Sequence, residues 1–299
     1  MKSQQRTGYQ MIFMAGALWG TIGFFVNVLG EMGVKAEVIP LLRIGMGAIL
    51  LVPITLASGG IGALKIDRRG LRYCIVLGAF CQALFNLSYT ESIKYIGVST
   101  AVVLLYTAPI FVCIMSRIFF KEEIGPQKLL ALAVNIIGCV LTVTDGNFTT
   151  IHFSMFGVAA GVTAGFLYGL MTIISKGATA EYDPMTISFY SFIFGSLCLT
   201  LATRPWINLG NVFSWELLLV ALGYGMIPTV GSYVLYLKGL SRDLETSRVP
   251  IIASVETIVA AVIGIAVFGE SHGFIKVMGI CMVVLSIVIM NMNFRKETK

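Results

Sequence analysis

Ten apolar runs, each about as long as the hydrocarbon core of a bilayer is thick, divide this chain almost without remainder. A membrane-crossing helix needs about 20 mostly apolar residues. Runs of that kind cover residues 9–29, 38–57, 71–91, 97–119, 127–144, 154–175, 185–203, 214–237, 246–268 and 273–293, with short connections and no inserted soluble domain. Only 12% of the 299 residues are charged, about half the share of a soluble domain. That leaves too little polar surface to cover a water-soluble globule, so the chain is read as an all-α, multi-pass membrane protein whose partner is the lipid bilayer. The first run is read as a retained helix, because it is long enough to cross and Ala15-Gly16-Ala17 falls too early for signal cleavage.

Charge placement tests the count. With the N-terminus inside, ten crossings collect Lys2, Arg6, Lys65, Arg68, Arg69, Arg72, Arg117, Lys121, Lys128, Lys176, Lys238, Arg242, Arg248, Arg295, Lys296 and Lys299 on the inner side. The outer side receives Lys35, Lys94, Arg204 and Lys276, and Arg43 stays within a span. This is the positive-inside asymmetry. It predicts a cell (plasma or inner) membrane protein with both termini cytoplasmic. The net charge of +6 thereby finds a use in orientation, and no basic patch suggests nucleic acid.

The six cysteines form no C-x-x-C pair, and His152 and His272 lie far from them in loops, so neither zinc nor a disulfide framework is indicated. No metal or other cofactor is expected. The chain has no Walker A string and no G-x-S-x-G elbow, which argues against direct ATP drive and disfavours an embedded enzyme.

One phrase occurs twice. "FFKEEIGPQK" begins at Phe119 and "VFGESHGFIK" at Val267, and a shift of about 148 residues lays Phe120-Lys121-Glu122 on Phe268-Gly269-Glu270. "GALWG" (16–20) likewise resembles "GFLYG" (165–169), setting Trp19 opposite Tyr168. Five spans precede the join and five follow it, which divides the chain into repeats 1–147 and 148–299. An odd number of crossings sends the second copy in upside down. Two inverted five-helix repeats meeting around a central cavity are the architecture of alternating-access carriers.

These features together resemble the drug/metabolite transporter superfamily, EamA type. The residues concerned are Trp19-Gly20 and Tyr168-Gly169, Arg43 early in the second span, Ala108-Pro109, the two glutamate-bearing phrases, and "ASVETIVAAVIGIAVFGE" from Ala253 to Glu270. That segment commonly reads Glu-Pro where this chain has Glu256-Thr257, and the nearest proline here is Pro250. The resemblance implies ten helices around a central cavity and secondary transport of small polar metabolites, often outward. The expectation is an exporter of an amino acid or related compound, coupled to protons and working as a monomer or weak homodimer. The alternative is a membrane scaffold or lipid scramblase.

Glu256 is the sharpest candidate. It lies about ten residues into its span, roughly 15 Å deep at helix rise, where a carboxylate is costly and usually faces a cavity or a partner. The bland reading is a group satisfied by Ser254, Thr257 or a freed carbonyl. Arg43 could answer Glu256 or a substrate carboxylate, or snorkel to the interface. Trp19, Tyr89, Tyr106, Tyr168, Tyr233 and Tyr236, with Gln82 and Asn86, could line a pocket, though each alone is more often a packing residue. Pro53, Pro109, Pro228 and Pro250 fall inside spans, where each removes a helix bond. The last three are the candidate hinges, with Pro109 and Pro250 expected to free the carbonyls of Leu105 and Thr246. Gly157, Gly161, Gly165 and Gly169, like Gly16 and Gly20, suggest close helix approach. Glu122 and Glu270 are expected to cap or orient helix ends.

Overall fold

The computed structural model describes residues 2–147, 154–207, 209, 212–270 and 272–292. His152, Arg295, Lys296 and Lys299 lie outside the described residues. Among the described residues ten helices are long and apolar enough to cross a membrane: α1 Gln4–Glu31, α2 Ile39–Ala57, α3 Arg68–Ile96, α4 Val98–Phe120, α5 Pro126–Thr144, α6 Met155–Thr179, α7 Pro184–Thr203, α8 Trp215–Leu240, α9 Thr246–Phe268 and α10 Phe274–Asn291. Several outrun their apolar stretches. Charged residues such as Arg68, Arg69, Glu91 and Lys94 occupy the ends of α3, because a helix that has left the hydrocarbon still keeps its own backbone bonds. It stops at Gly97, whose φ of +79° suits glycine.

Side chains start four of these helices. Asp67, Ser154, Asp183 and Ser214 each accept from backbone N–H groups of the following first turn, donors that have no partner inside the helix. The Gly70 N–H and the Tyr182 hydroxyl also hold the Asp67 carboxyl below its ordinary value.

Bonds between loops show which loops share an end of the bundle. At one end Arg69 pairs with Glu181 at 3.0 Å, the Tyr182 hydroxyl donates to Asp67 at 2.8 Å, and Lys128 pairs with Glu245 at 2.7 Å. At the other end Lys94 pairs with Glu37 at 2.7 Å, and Asp145 accepts the Lys276 N–H at 2.9 Å. Connections therefore alternate between ends, as ten crossings require. Glu122 lies at the first end and Glu270 at the second, the placement expected of one turn repeated in inverted copies. The most extensive packings obey the same exchange: α5 meets α10, α2 meets α7, and α3–α6 is matched by α8–α1, α4–α6 by α9–α1, and α3–α7 by α8–α2.

Local irregularities recur too. α3 winds as a π-helix over Val76–Leu84 and α8 over Met226–Gly231, the same stretch under the 148-residue shift. α4 breaks at Tyr106 and Thr107, between Val98–Leu105 and Ala108–Phe120. α9 breaks at Ser254, the counterpart of Tyr106, between Val249–Ala253 and Val255–Phe268. Two of the candidate hinge prolines stand beside these breaks. Pro109 and Pro250 stand in the first turn of a helical segment, where a missing N–H costs nothing, so neither interrupts a continuous ladder. Pro228 does lie inside a helix, in the π segment, and the Tyr224 carbonyl that it leaves accepts the Thr229 hydroxyl at 2.9 Å.

Glycines let the breaks sink into their neighbours. A Cβ on Gly16 of α1 would stand 2.4 Å from the Ala253 carbonyl oxygen, and one on Gly20 2.8 Å from that of Glu256. On α6, a Cβ on Gly165 would stand 2.5 Å from the Thr107 hydroxyl and one on Gly169 3.1 Å from the Ala108 carbonyl oxygen. The broken helix of each half is thus bedded on the first helix of the other.

Candidate functional site

The two breaks face one another across the centre of the bundle. The Tyr106 and Thr257 hydroxyls share a hydrogen bond of 2.7 Å, and Cys139 Sγ lies 3.5 Å from the same Thr257 oxygen. Asn135 of α5 donates to Ser254 at 2.6 Å and to Ser286 of α10 at 2.9 Å, and the Ser254 hydroxyl continues to the Ile251 carbonyl. This polar seam ties α4, α5, α9 and α10 together beside a cavity.

The cavity lies between α4, α5, α6, α8 and α9. Tyr106, Pro109, Asn135, Tyr168, Thr172 and Tyr236 contribute to its wall, with Pro250, Ser254, Glu256 and Thr257 from α9. Its free volume is about 40 Å³, room for a few waters and too little for a metabolite.

Glu256 opens onto this cavity from the first turn of Val255–Phe268, half-buried. Neither neighbouring hydroxyl bonds it: Ser254 donates to the Ile251 carbonyl, and Thr257 lies against Tyr106 and Cys139. Among the described residues Glu256 has no hydrogen-bond or ion-pair partner. The helix dipole of its own segment favours a negative charge at that position, and the Arg43 charge reaches it through space.

Of the residues picked out by sequence, Tyr106, Tyr168, Tyr236, Glu256, Pro109 and Pro250 line the cavity, whereas Trp19, Arg43, Pro53, Gln82, Asn86, Tyr89, Pro228 and Tyr233 do not. Trp19 and Tyr233 pack behind it. The Trp19 ring stands 6.3 Å from Tyr168, 5.5 Å from Tyr233 and 4.9 Å from Tyr236. Tyr89 stacks on Phe85, which stacks on Tyr168. Arg43 does not snorkel. It is 7% exposed, and among the described residues its one hydrogen bond goes from Nη2 to Asn86 Oδ1 at 3.4 Å. Asn86 in turn donates to the Gln82 carbonyl, and Gln82 Oε1 is buried without a hydrogen-bond partner among the described residues. Asn86 lines a separate cleft of about 160 Å³ at the Lys94 end, with Glu37, Thr90 and Glu91.

Sequence reasoning missed Asn135 and Thr172. A lone amide inside the apolar run of α5 was the available signal for Asn135. Thr172 lies one turn beyond Tyr168 and bonds the Tyr236 hydroxyl at 2.7 Å. The two repeated glutamates have parted. Glu122 accepts from the Thr246 and Ser247 N–H groups and so caps the start of α9 across the join between halves. Glu270 pairs instead with Lys276, within its own turn.

Comparison with known proteins gives a consistent picture. The model of the EamA-like transporter family matches residues 6–144 and again 155–292. An uncharacterized transporter of Archaeoglobus fulgidus is 30% identical over 288 residues, covering 95% of this chain and 96% of that one. The uncharacterized inner membrane transporter YicL of Salmonella typhimurium is 21% identical over 298 residues, 98% of each chain. A crystal structure superposes with a TM-score of 0.80 at 14% identity, over 96% of both chains, and so shares the fold.

Proposed function

This chain belongs to the EamA-like transporter family, and from that premise we propose that it is an alternating-access secondary carrier of a small polar metabolite such as an amino acid or related compound. The observation that supports this reading best is Glu256, an unpartnered carboxylate on a small cavity between the halves. Repeats 1–147 and 148–299 rock against one another and open the cavity to each side in turn. The paired breaks at Tyr106 and Ser254 are where the motion is absorbed. Tyr106, Tyr168 and Tyr236 hold the apolar part of the solute, and Glu256 binds its ammonium group or a coupled proton. In the opened state Trp19, Tyr89, Tyr233 and the Arg43–Asn86–Gln82 group join the wall, with Arg43 reading a carboxylate.

The positive-inside count supports residence in the cell membrane with cytoplasmic termini, and the resemblance to the drug/metabolite transporter superfamily supports export as the working direction. The protein acts as a monomer or weak homodimer and does no covalent chemistry on its cargo. A metabolite screen scored by thermal stabilisation of the purified protein identifies the solute. Counterflow of the labelled solute in proteoliposomes then tests the carrier. A scaffold or scramblase gives no counterflow, and that result ends the proposal. Counterflow by Glu256→Gln with unaltered rate and pH dependence removes the role given to the carboxylate.

A further inference from the structure

A second cleft, of about 640 Å³, opens at the end of the bundle that holds Arg69 and Glu181, between α1, the start of α9 and the end of α10. Its lining is graded. Arg6, Arg248 and Asn291 stand near the helix ends, whereas Phe13, Ile252 and Ile287 make a floor deeper in. From Arg6 to Phe13 is about 10 Å along α1, the step from a headgroup region into acyl chains. Phe13 is 41% exposed in a span that faces lipid.

The polar rim is not fully used. Arg248 is held by Glu245 at 2.8 Å and by the Met290 carbonyl at 3.2 Å. Glu245 is itself neutralised by Lys128 as well. Arg6 has no ion-pair or hydrogen-bond partner among the described residues. The rim therefore keeps a positive surplus above an apolar floor. Duplication does not explain the lining, because the counterpart positions at the other end, Met155 for Arg6, Val158 for Tyr9 and Thr100 for Arg248, are uncharged.

We infer that this cleft binds one anionic phospholipid of the cytoplasmic leaflet, its phosphate between Arg6 and Arg248 and one acyl chain along Phe13, Ile252 and Ile287. The leaflet rests on the topology proposed above, but the binding does not. Basic pockets between membrane helices recognise anionic headgroups in this way.

The test uses the full chain in neutral detergent, titrated with dioleoylphosphatidylglycerol and followed by native mass spectrometry and thermal unfolding. One tight adduct is expected for phosphatidylglycerol, with none for phosphatidylcholine or inorganic phosphate. Arg6→Gln weakens it by about fivefold, and Arg6→Lys restores most of it. Phe13→Ala, with the charges intact, weakens it as well. Equal binding of the two lipids, or selectivity unchanged in Arg6→Gln, overturns the inference, and saturation by phosphate alone makes the cleft an ion site instead. None of these outcomes depends on counterflow, so the lipid site and the carrier can fail separately.

Discussion

The hydroxyls of Tyr106 and Thr257 meet at 2.7 Å, and through them the broken helix of one half touches the broken helix of the other. Thr257 is the counterpart of Pro109, so a hydroxyl stands where the repeat elsewhere carries a ring without a donor. Tyr106→Phe and Thr257→Val should each cost about 1 kcal/mol. The double variant should cost clearly less than the sum, because both remove one bond. Thermal unfolding of the four proteins measures the coupling, and additive losses would show that the bond contributes nothing.

Glu256→Gln should separate stability from function. An unpartnered carboxylate in mid-bundle is a burden on the fold, so the variant unfolds at the same temperature or higher. Charged hydrogen bonds contribute about 1.5–3 kcal/mol, so solute affinity should fall on the order of tenfold to a hundredfold. Loss of stability together with loss of transport would mark Glu256 as structural.

The glycine beds predict a contrast along one helix. Gly16→Ala places a methyl group against the Ala253 carbonyl and should cost about 1–3 kcal/mol. Gly23→Ala meets nothing within 4 Å and should be neutral or stabilising by about 0.5–1 kcal/mol. Unfolding temperatures decide, and a Gly16→Ala protein as stable as the parent would remove the bed.

Glu122 closes one end by capping α9. Glu122→Ala should cost about 0.5–2 kcal/mol and favour opening at that end. Cys139 is fully buried beside Thr257. In a background where it is the sole cysteine, maleimide added from the Glu122 side should label it faster in the variant. Equal rates would separate the cap from access.

Glu245 sets a pH dependence. Burial pushes its carboxyl up, but the hydrogen bond and charge of Lys128, with the charge of Arg248, outweigh that and hold it below the ordinary 4.5. A depressed carboxyl stabilises the fold fully above its unfolded pKa, and that contribution disappears as pH falls through the lower folded value. The unfolding temperatures of the parent and Glu245→Gln should therefore differ at pH 7 and converge as pH falls below the ordinary 4.5 and through the lower folded value. A gap that persists in acid would contradict this assignment.

Much of this was legible in the chain because the bilayer is a strict solvent. It fixes the length of each crossing, and it made Glu256 conspicuous as a charge where none is cheap. The placement of breaks was less legible. Pro109 and Pro250 advertise them, yet a proline fits the first turn after a break as readily as the middle of a kink, and only the fold says which. The choice among aromatics was harder still. Trp19, Tyr168, Tyr233 and Tyr236 lie within one ring cluster, and a fraction of a helix turn decides which of them reach the cavity. Asn86 is as polar as Asn135, but it belongs to another cleft, and nothing in its neighbourhood along the chain reveals that.

Because Gly16 and Gly20 seat the break of α9, and Gly165 and Gly169 seat that of α4, neither repeat owns the shape of its own centre. A bulkier side chain accepted in one half has to be answered by a concession in the other, far away along the gene. Two copies that began alike are thereby held to a shared history at these few positions, while the rest of each is at liberty to diverge.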